Sequence, residues 1–274
     1  MKKFISFILL LSMVCSLGTP YTTVKADTEQ ATSVEQASQE EQAESSKETE
    51  ETIEPTEAET KTKKVKKKVI VIDAGHQTRA MSATEPIGPG ASQRKAKVTG
   101  GATGCVSGLT EYKLNLQVAK KLRTELKKRG YKVIMVRTKN NVRLSNVQRA
   151  KVANKNKADA FIRIHANSAG DSSVKGALTI APQNSNPYMK KKIRKKSQKL
   201  SKKVINAMCK TTGAKNRGVM YTNSMTGINW CKVPVTIVEM GFMSNPSEDR
   251  KMAKASYQKK IVKGIANGID KFLK

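Results

Sequence analysis

Histidine is nearly absent from this chain, with two among 274 residues. Aromatic residues make up 4%, with a single tryptophan. That scarcity argues against an appended array of sugar-stacking modules, which bind through aromatic faces. Cysteine is sparse. Cys15 falls in a short apolar run near the start, leaving Cys105, Cys209 and Cys231. An odd, scattered set is not a disulfide framework, although one pair could form, and no C-x-x-C zinc pattern occurs. No His-Glu-x-x-His run occurs either, which removes one large class of metalloproteases. No repeats are visible. The apolar run Phe4–Val14 falls short of the roughly 20 residues a membrane helix needs.

The ends of the chain differ in character. Residues 1–26 read as a secretory signal peptide: Lys2 and Lys3, then the apolar run, then Val24-Lys25-Ala26 as a small-residue cleavage site. Cys15 sits in a poor context for lipidation. From Asp27 to Thr60, twelve acids stand against Lys47 alone, with Val34 and Ile53 the only large aliphatic residues. Such a stretch cannot bury enough apolar surface to offset its ordering entropy, so 27–66 reads as an acidic disordered linker. The remainder, 67–274, holds only ten of the 22 acids and carries the basic excess behind the net charge of +30. It is long enough for one good core. So strong a positive field favours a polyanionic partner. The leader points to anionic polymers of a cell wall rather than to nucleic acid.

Short aliphatic, β-branched runs mark strands at Lys68–Asp73, Lys132–Val136, Ala160–Ile164, Gly176–Ala181, Gly218–Tyr221 and Pro234–Val238. Helical spacing lies between them. Leu114, Val118, Leu122 and Leu126 form one helix ended by Gly130, Ile193 to Ile205 a second, and Ile261, Ile265 and Ile269 a third. This alternation predicts an α/β fold: a mostly parallel twisted sheet with helices on both faces. Sites in such sheets form beyond the carboxyl ends of the strands.

Polar residues stand at those ends. His76 follows V-I-V-I-D-A-G, His165 follows F-I-R-I, Glu239 follows V-T-I-V, and Glu111 precedes the Leu114 helix. A carboxylate between an apolar strand and Met240-Gly241-Phe242 is costly unless paired or bound to metal. Two histidines and a carboxylate make a zinc set with an open position for water. A second glutamate could move protons. Taken singly, each residue also has a structural reading: a hydrogen-bonded strand-end histidine, a glutamate at a helix N-terminus, an ion pair with lysine. Asp73 reads as a turn residue or a partner orienting His76.

The motifs V-I-D-A-G-H, T-E-Y-K-L-N-L, F-I-R-I-H-A-N-S, N-R-G-V and V-P-V-T-I-V-E-M-G-F-M-S-N, in this order, resemble those of the zinc-dependent N-acetylmuramoyl-L-alanine amidases, with the variant pattern of clostridial members. The resemblance spans roughly the whole basic domain. It implies a phosphorylase/hydrolase-like fold, one Zn2+ held by His76, Glu111 and His165, and Glu239 as general base and then acid. It implies peptidoglycan as substrate, cut between N-acetylmuramic acid and L-alanine. A zinc peptidase of stem peptides and a non-catalytic cationic wall-binding module remain as alternatives. No activating protein is legible.

Other residues carry weaker expectations. Residues 77–110, rich in Gly and Pro and lacking the Gly-Lys-Ser/Thr ending of a nucleotide loop, read as a rim of the substrate groove. Arg163 stands where the resemblance implies a small residue, and would reach a wall anion or a neighbouring carboxylate. Asn167 would orient His165 or touch substrate. Trp230 would stack on a sugar. Arg149 and Asn154 fit the pattern as structural residues.

Overall fold

The computed structural model describes residues 66–274. The expected signal peptide 1–26 and, apart from Lys66, the acidic linker 27–66 lie outside them. In chain order the elements are β1 (Val69–Ala74), β2 (Met81–Pro86), β3 (Arg94–Val98), α1 (Glu111–Lys128), β4 (Lys132–Met135), α2 (Asn146–Lys155), β5 (Ala160–Asn167), β6 (Ala177–Pro182), α3 (Lys191–Thr212), β7 (Asn216–Thr222), α4 (Thr226–Asn229), β8 (Val235–Phe242), α5 (Pro246–Ala253) and α6 (Ala255–Leu273).

Six strands form one sheet in the order β4-β1-β5-β8-β6-β7. The first four run parallel, β6 runs antiparallel to β8, and β7 follows β6 in parallel. The sheet is mostly parallel, as expected. Side chains alternate across it, so each strand feeds two cores. Ile70, Ile72, Ile162, Ile164, Val238 and Met240 meet the apolar stripes of α1, α3 and α6 on one face. Val71, Phe161, Val235 and Ile237 meet Ala150 and Ala153 of α2 and Ile228 of α4 on the other. Against α3, α6 comes close enough for backbone contact. A methyl group at Gly264 or Gly268 would strike the α3 backbone at Met208 and Val204.

The alternation carries on into the site. The strands expected to stop at Ile164 and Val238 continue to Asn167 and Phe242. Ala166 and Met240 still pack into the core behind them. His165 and Glu239 therefore project from within strands. They are paired in register on the opposite face, the one carrying Val71, Phe161 and Ile237. Residues 77–110 contain a two-stranded antiparallel hairpin, β2–β3, turned through Gly88-Pro89-Gly90. Its ladder was too irregular and polar to stand out in the sequence.

Candidate metal centre and catalytic cleft

Three elements deliver three ligands. His76 follows β1 in a tight turn and has a left-handed backbone, φ 57°. That conformation is uncommon for a non-glycine residue and needs support from its surroundings. Two buried arginines supply it. Arg137 donates to the carbonyls of Ala74 at 2.8 Å and Gly75 at 3.0 Å. Arg149 donates to the carbonyls of Ala74 at 3.0 Å and His76 at 3.1 Å. Asp73, fully buried, anchors the second of these, accepting from Arg149 at 2.6 Å. Asp73 thus does not touch His76; it acts through Arg149. Burial alone would push the Asp73 carboxyl up, but Arg149 and Arg163 beside it outweigh this and hold it below the usual carboxylate range.

Glu111 opens α1, where the helix dipole favours a carboxylate. Its Oε2 accepts from Ala102 N at 2.9 Å. Its Oε1 accepts from Ala166 N at 3.1 Å and Asn115 Nδ2 at 3.2 Å. His165 rises from β5. Gly75 makes room for it, since a Cβ there would collide with the His165 ring. Gly101, at φ +84°, does the same beside Glu111 and His76.

The three side chains converge. His76 Nε2 and His165 Nδ1 stand 3.2 and 3.1 Å from the same Glu111 oxygen, Oε1. The imidazole centroids are 4.8 Å apart. His76 Nδ1 meets the carbonyl of Thr99 at 2.8 Å, so that nitrogen carries a proton and Nε2 is the atom turned to Glu111. Tetrahedral zinc, with ligand bonds of about 2.0–2.1 Å, sets its donor atoms roughly 3.3 Å apart. The two separations from Glu111 fit this, and all three ligand atoms lie within 4.8 Å of one another. His165 Nε2 is sealed from solvent without a partner. Burial pushes the His165 pKa down to about 4, with Glu111 opposing, so the ring is neutral at pH 7 and free to ligate. Glu111 is held well below its ordinary range: burial opposes this, but the two imidazoles dominate.

Glu239 stands beside His165 across the β5–β8 ladder. Neighbouring strands lie about 4.8 Å apart, so the two side chains are immediate neighbours. Its Oε2 has no hydrogen-bond partner. Burial, and then the charge of Glu111, pushes its pKa up to about 8, with Arg163 opposing. A carboxyl that titrates near neutrality suits work as both base and acid.

His76, His165 and Glu239 line a cleft of about 390 Å³, walled by Lys95, Val98 and Thr99 of the hairpin side and by Ser224 to Gly227. Residues from the 77–110 stretch thus reach the cleft. Arg163 forms part of the wall, held by Asp73 at 3.0 Å and Asn146 at 2.7 Å. Asn167 lies outside it, its side-chain oxygen accepting from Ser168 N. Trp230 also lies outside, its indole donating to the Pro86 carbonyl at 2.9 Å. Asn154 braces that loop through Trp230 O and Lys232 N. Cys105, Cys209 and Cys231 are free thiols. Sequence reasoning missed Arg137 and Asn115, because nothing in a sequence marks one arginine among many, or one helical asparagine, as buried.

Comparison with known proteins places these features in context. Residues 70–271 match the N-acetylmuramoyl-L-alanine amidase family. The N-acetylmuramoyl-L-alanine amidase LytC of Bacillus subtilis (strain 168) is 31% identical over 162 residues, which are 59% of this chain and 31% of that one. The catalytic domain of CwlV, an N-acetylmuramoyl-L-alanine amidase from Bacillus (Paenibacillus) polymyxa var. colistinus, superposes with a TM-score of 0.60 at 30% identity, covering 75% of this chain and 98% of its own. The N-acetylmuramoyl-L-alanine amidase of Clostridium difficile 630 superposes with a TM-score of 0.62 at 25% identity, covering 76% and 97%.

Proposed function

The chain belongs to the N-acetylmuramoyl-L-alanine amidase family, and from that premise we propose how its residues divide the work on peptidoglycan. The bond cut joins the lactyl group of N-acetylmuramic acid to L-alanine of the stem peptide. His76, Glu111 and His165 hold one zinc ion. Glu239 moves the protons. The observation that carries this reading is the convergence of two imidazole nitrogens on one Glu111 oxygen at 3.1 and 3.2 Å, with Glu239 in register beside His165.

Zinc, when bound, supplies a Lewis acid that polarises the amide carbonyl and acidifies water. The chain's own residues do the rest. Thr99 and the two arginines keep His76 in one tautomer and one orientation. Glu239 accepts a proton from the attacking water as the carbon–oxygen bond forms. It returns that proton to the alanine nitrogen as the carbon–nitrogen bond breaks. The products are a muramic carboxylate and a peptide with a free L-alanine terminus.

Secretion through residues 1–26 and action at the cell wall belong to the same proposal. So does attraction to anionic wall polymers. In its support, α3 carries eight lysines and Arg194 and no acid. None of these cations makes an ion pair with a described residue.

Glu239→Gln tests the division of labour. It should retain stoichiometric zinc and lose roughly 100- to 10,000-fold in turnover. Full activity in that variant would remove Glu239 from the chemistry.

A further inference from the structure

Arg163 and Arg149 share a single carboxylate, Asp73. Arg149 exhausts its fork on Asp73, Gln77 and the carbonyls of Leu144, Ala74 and His76. Arg163 does not. Its Nε donates to Asp73 and its Nη2 to Asn146. Its Nη1 has no hydrogen-bond partner among the described residues, yet it is not among the polar atoms sealed from solvent. The side chain is 4% exposed and forms part of the cleft wall. Gly227 lies against that same nitrogen, and any side chain there would displace it. Two buried cations share one directly paired anion, with Glu239 the other carboxyl acting on Arg163 in the cleft, and a buried charge is costly until paired. The donor left over belongs to a side chain that lines the cleft.

We propose that Arg163 Nη1 is an anion subsite that receives a carboxylate of the stem peptide, on the residue that follows the released L-alanine. The proposal rests on the amidase reading above. The spacing supports it. Arg163 and His165 lie on the same face of β5, two residues and so about 7 Å apart. Successive residues of a peptide advance about 3.8 Å, so a group on the second stem residue lies roughly the same distance from the scissile carbonyl. Nη1 then grips the peptide side of the substrate while Glu239 and the metal ligands address the bond. A planar guanidinium locked by Asp73 and Asn146 offers that donor at a fixed position.

The test uses the full chain and one peptidoglycan in two forms. In one, the second stem residue carries a free α-carboxylate; in the other, that group is amidated. Release of L-alanine termini is measured at subsaturating polymer. The free acid should be cut roughly 10- to 100-fold faster, the range of one charge-assisted hydrogen bond. Arg163→Gln should abolish the preference, and Arg163→Lys should restore part of it. A merely structural role would slow both substrates equally and leave their ratio intact. Equal rates in the wild-type chain, or a preference that survives Arg163→Gln, overturn the subsite and leave the amidase reading standing. No release from either polymer overturns both.

Discussion

Replacing Arg149 by methionine removes a guanidinium that is 1% exposed and bonded to a carboxylate that is fully buried. Breaking a buried pair by deleting one partner costs about 3–5 kcal/mol. Here Asp73 keeps Arg163, and the Ala74 carbonyl keeps Arg137, so the low end applies. The His76 carbonyl loses its side-chain donor, at about 1 kcal/mol more. The expected loss is therefore about 4 kcal/mol. With a urea slope of about 2–3 kcal/mol/M, the unfolding midpoint should fall by roughly 1.3–2 M. Chelator must be present throughout, so that metal linkage does not enter. The pH dependence has a fixed sign. Asp73 is held below the usual carboxylate range in the folded chain, so its contribution is present above its unfolded pKa of about 3.9 and is lost as pH falls towards the folded value. Removing Arg149 raises the folded value, so the gap between variant and wild type should narrow in acid. An unchanged midpoint at pH 7, or a gap that widens below pH 4, would refute the argument. Because Arg149 also holds the His76 turn, zinc affinity measured separately should fall roughly 10- to 100-fold.

Gly75→Ala places a methyl group against the His165 ring; zinc titration should show at least about tenfold weaker binding, and unchanged affinity would mean that the ring has room to shift. Exchanging exposed Lys195, Lys199 and Lys202 of α3 for glutamate should weaken cosedimentation with anionic wall polymer. The difference should shrink as salt shortens the Debye length below about 8 Å, while cleavage of soluble muropeptides stays unchanged. Trp230→Phe loses one hydrogen bond to Pro86, so stability should drop by about 1 kcal/mol with KM unaltered; a severalfold rise in KM would put Trp230 in the groove after all.

The four inner strands were legible because they are buried on both faces and read as aliphatic runs. The four polar residues that interrupt or follow those runs were legible as chemistry because the basic domain has so few acids and histidines. The places where strands end were not. His165 and Glu239 look like terminators in sequence. In the fold they are one face of strands whose other face, Ala166 and Met240, remains core. The α2 helix escaped notice because its buried face is made of alanines and Arg149 rather than a leucine stripe. Its capping box, Ser145 with Gln148, was the available signal. The arginine cradle under His76 had none, since Arg137 and Arg149 differ from the surface cations only in what the fold packs around them. For the same reason Arg163 was visible as an oddity, but its pairing with Asp73 was not: that depends on β1 and β5 lying side by side with those two residues in register.

The most direct test of the central claim is an end-group analysis of purified peptidoglycan digested by the chain, with and without a chelator. The account predicts new L-alanine amino termini, no new reducing sugar ends, loss of activity with the chelator and its return with zinc. New amino termini on other residues, or L-alanine release that survives complete metal removal, would contradict it.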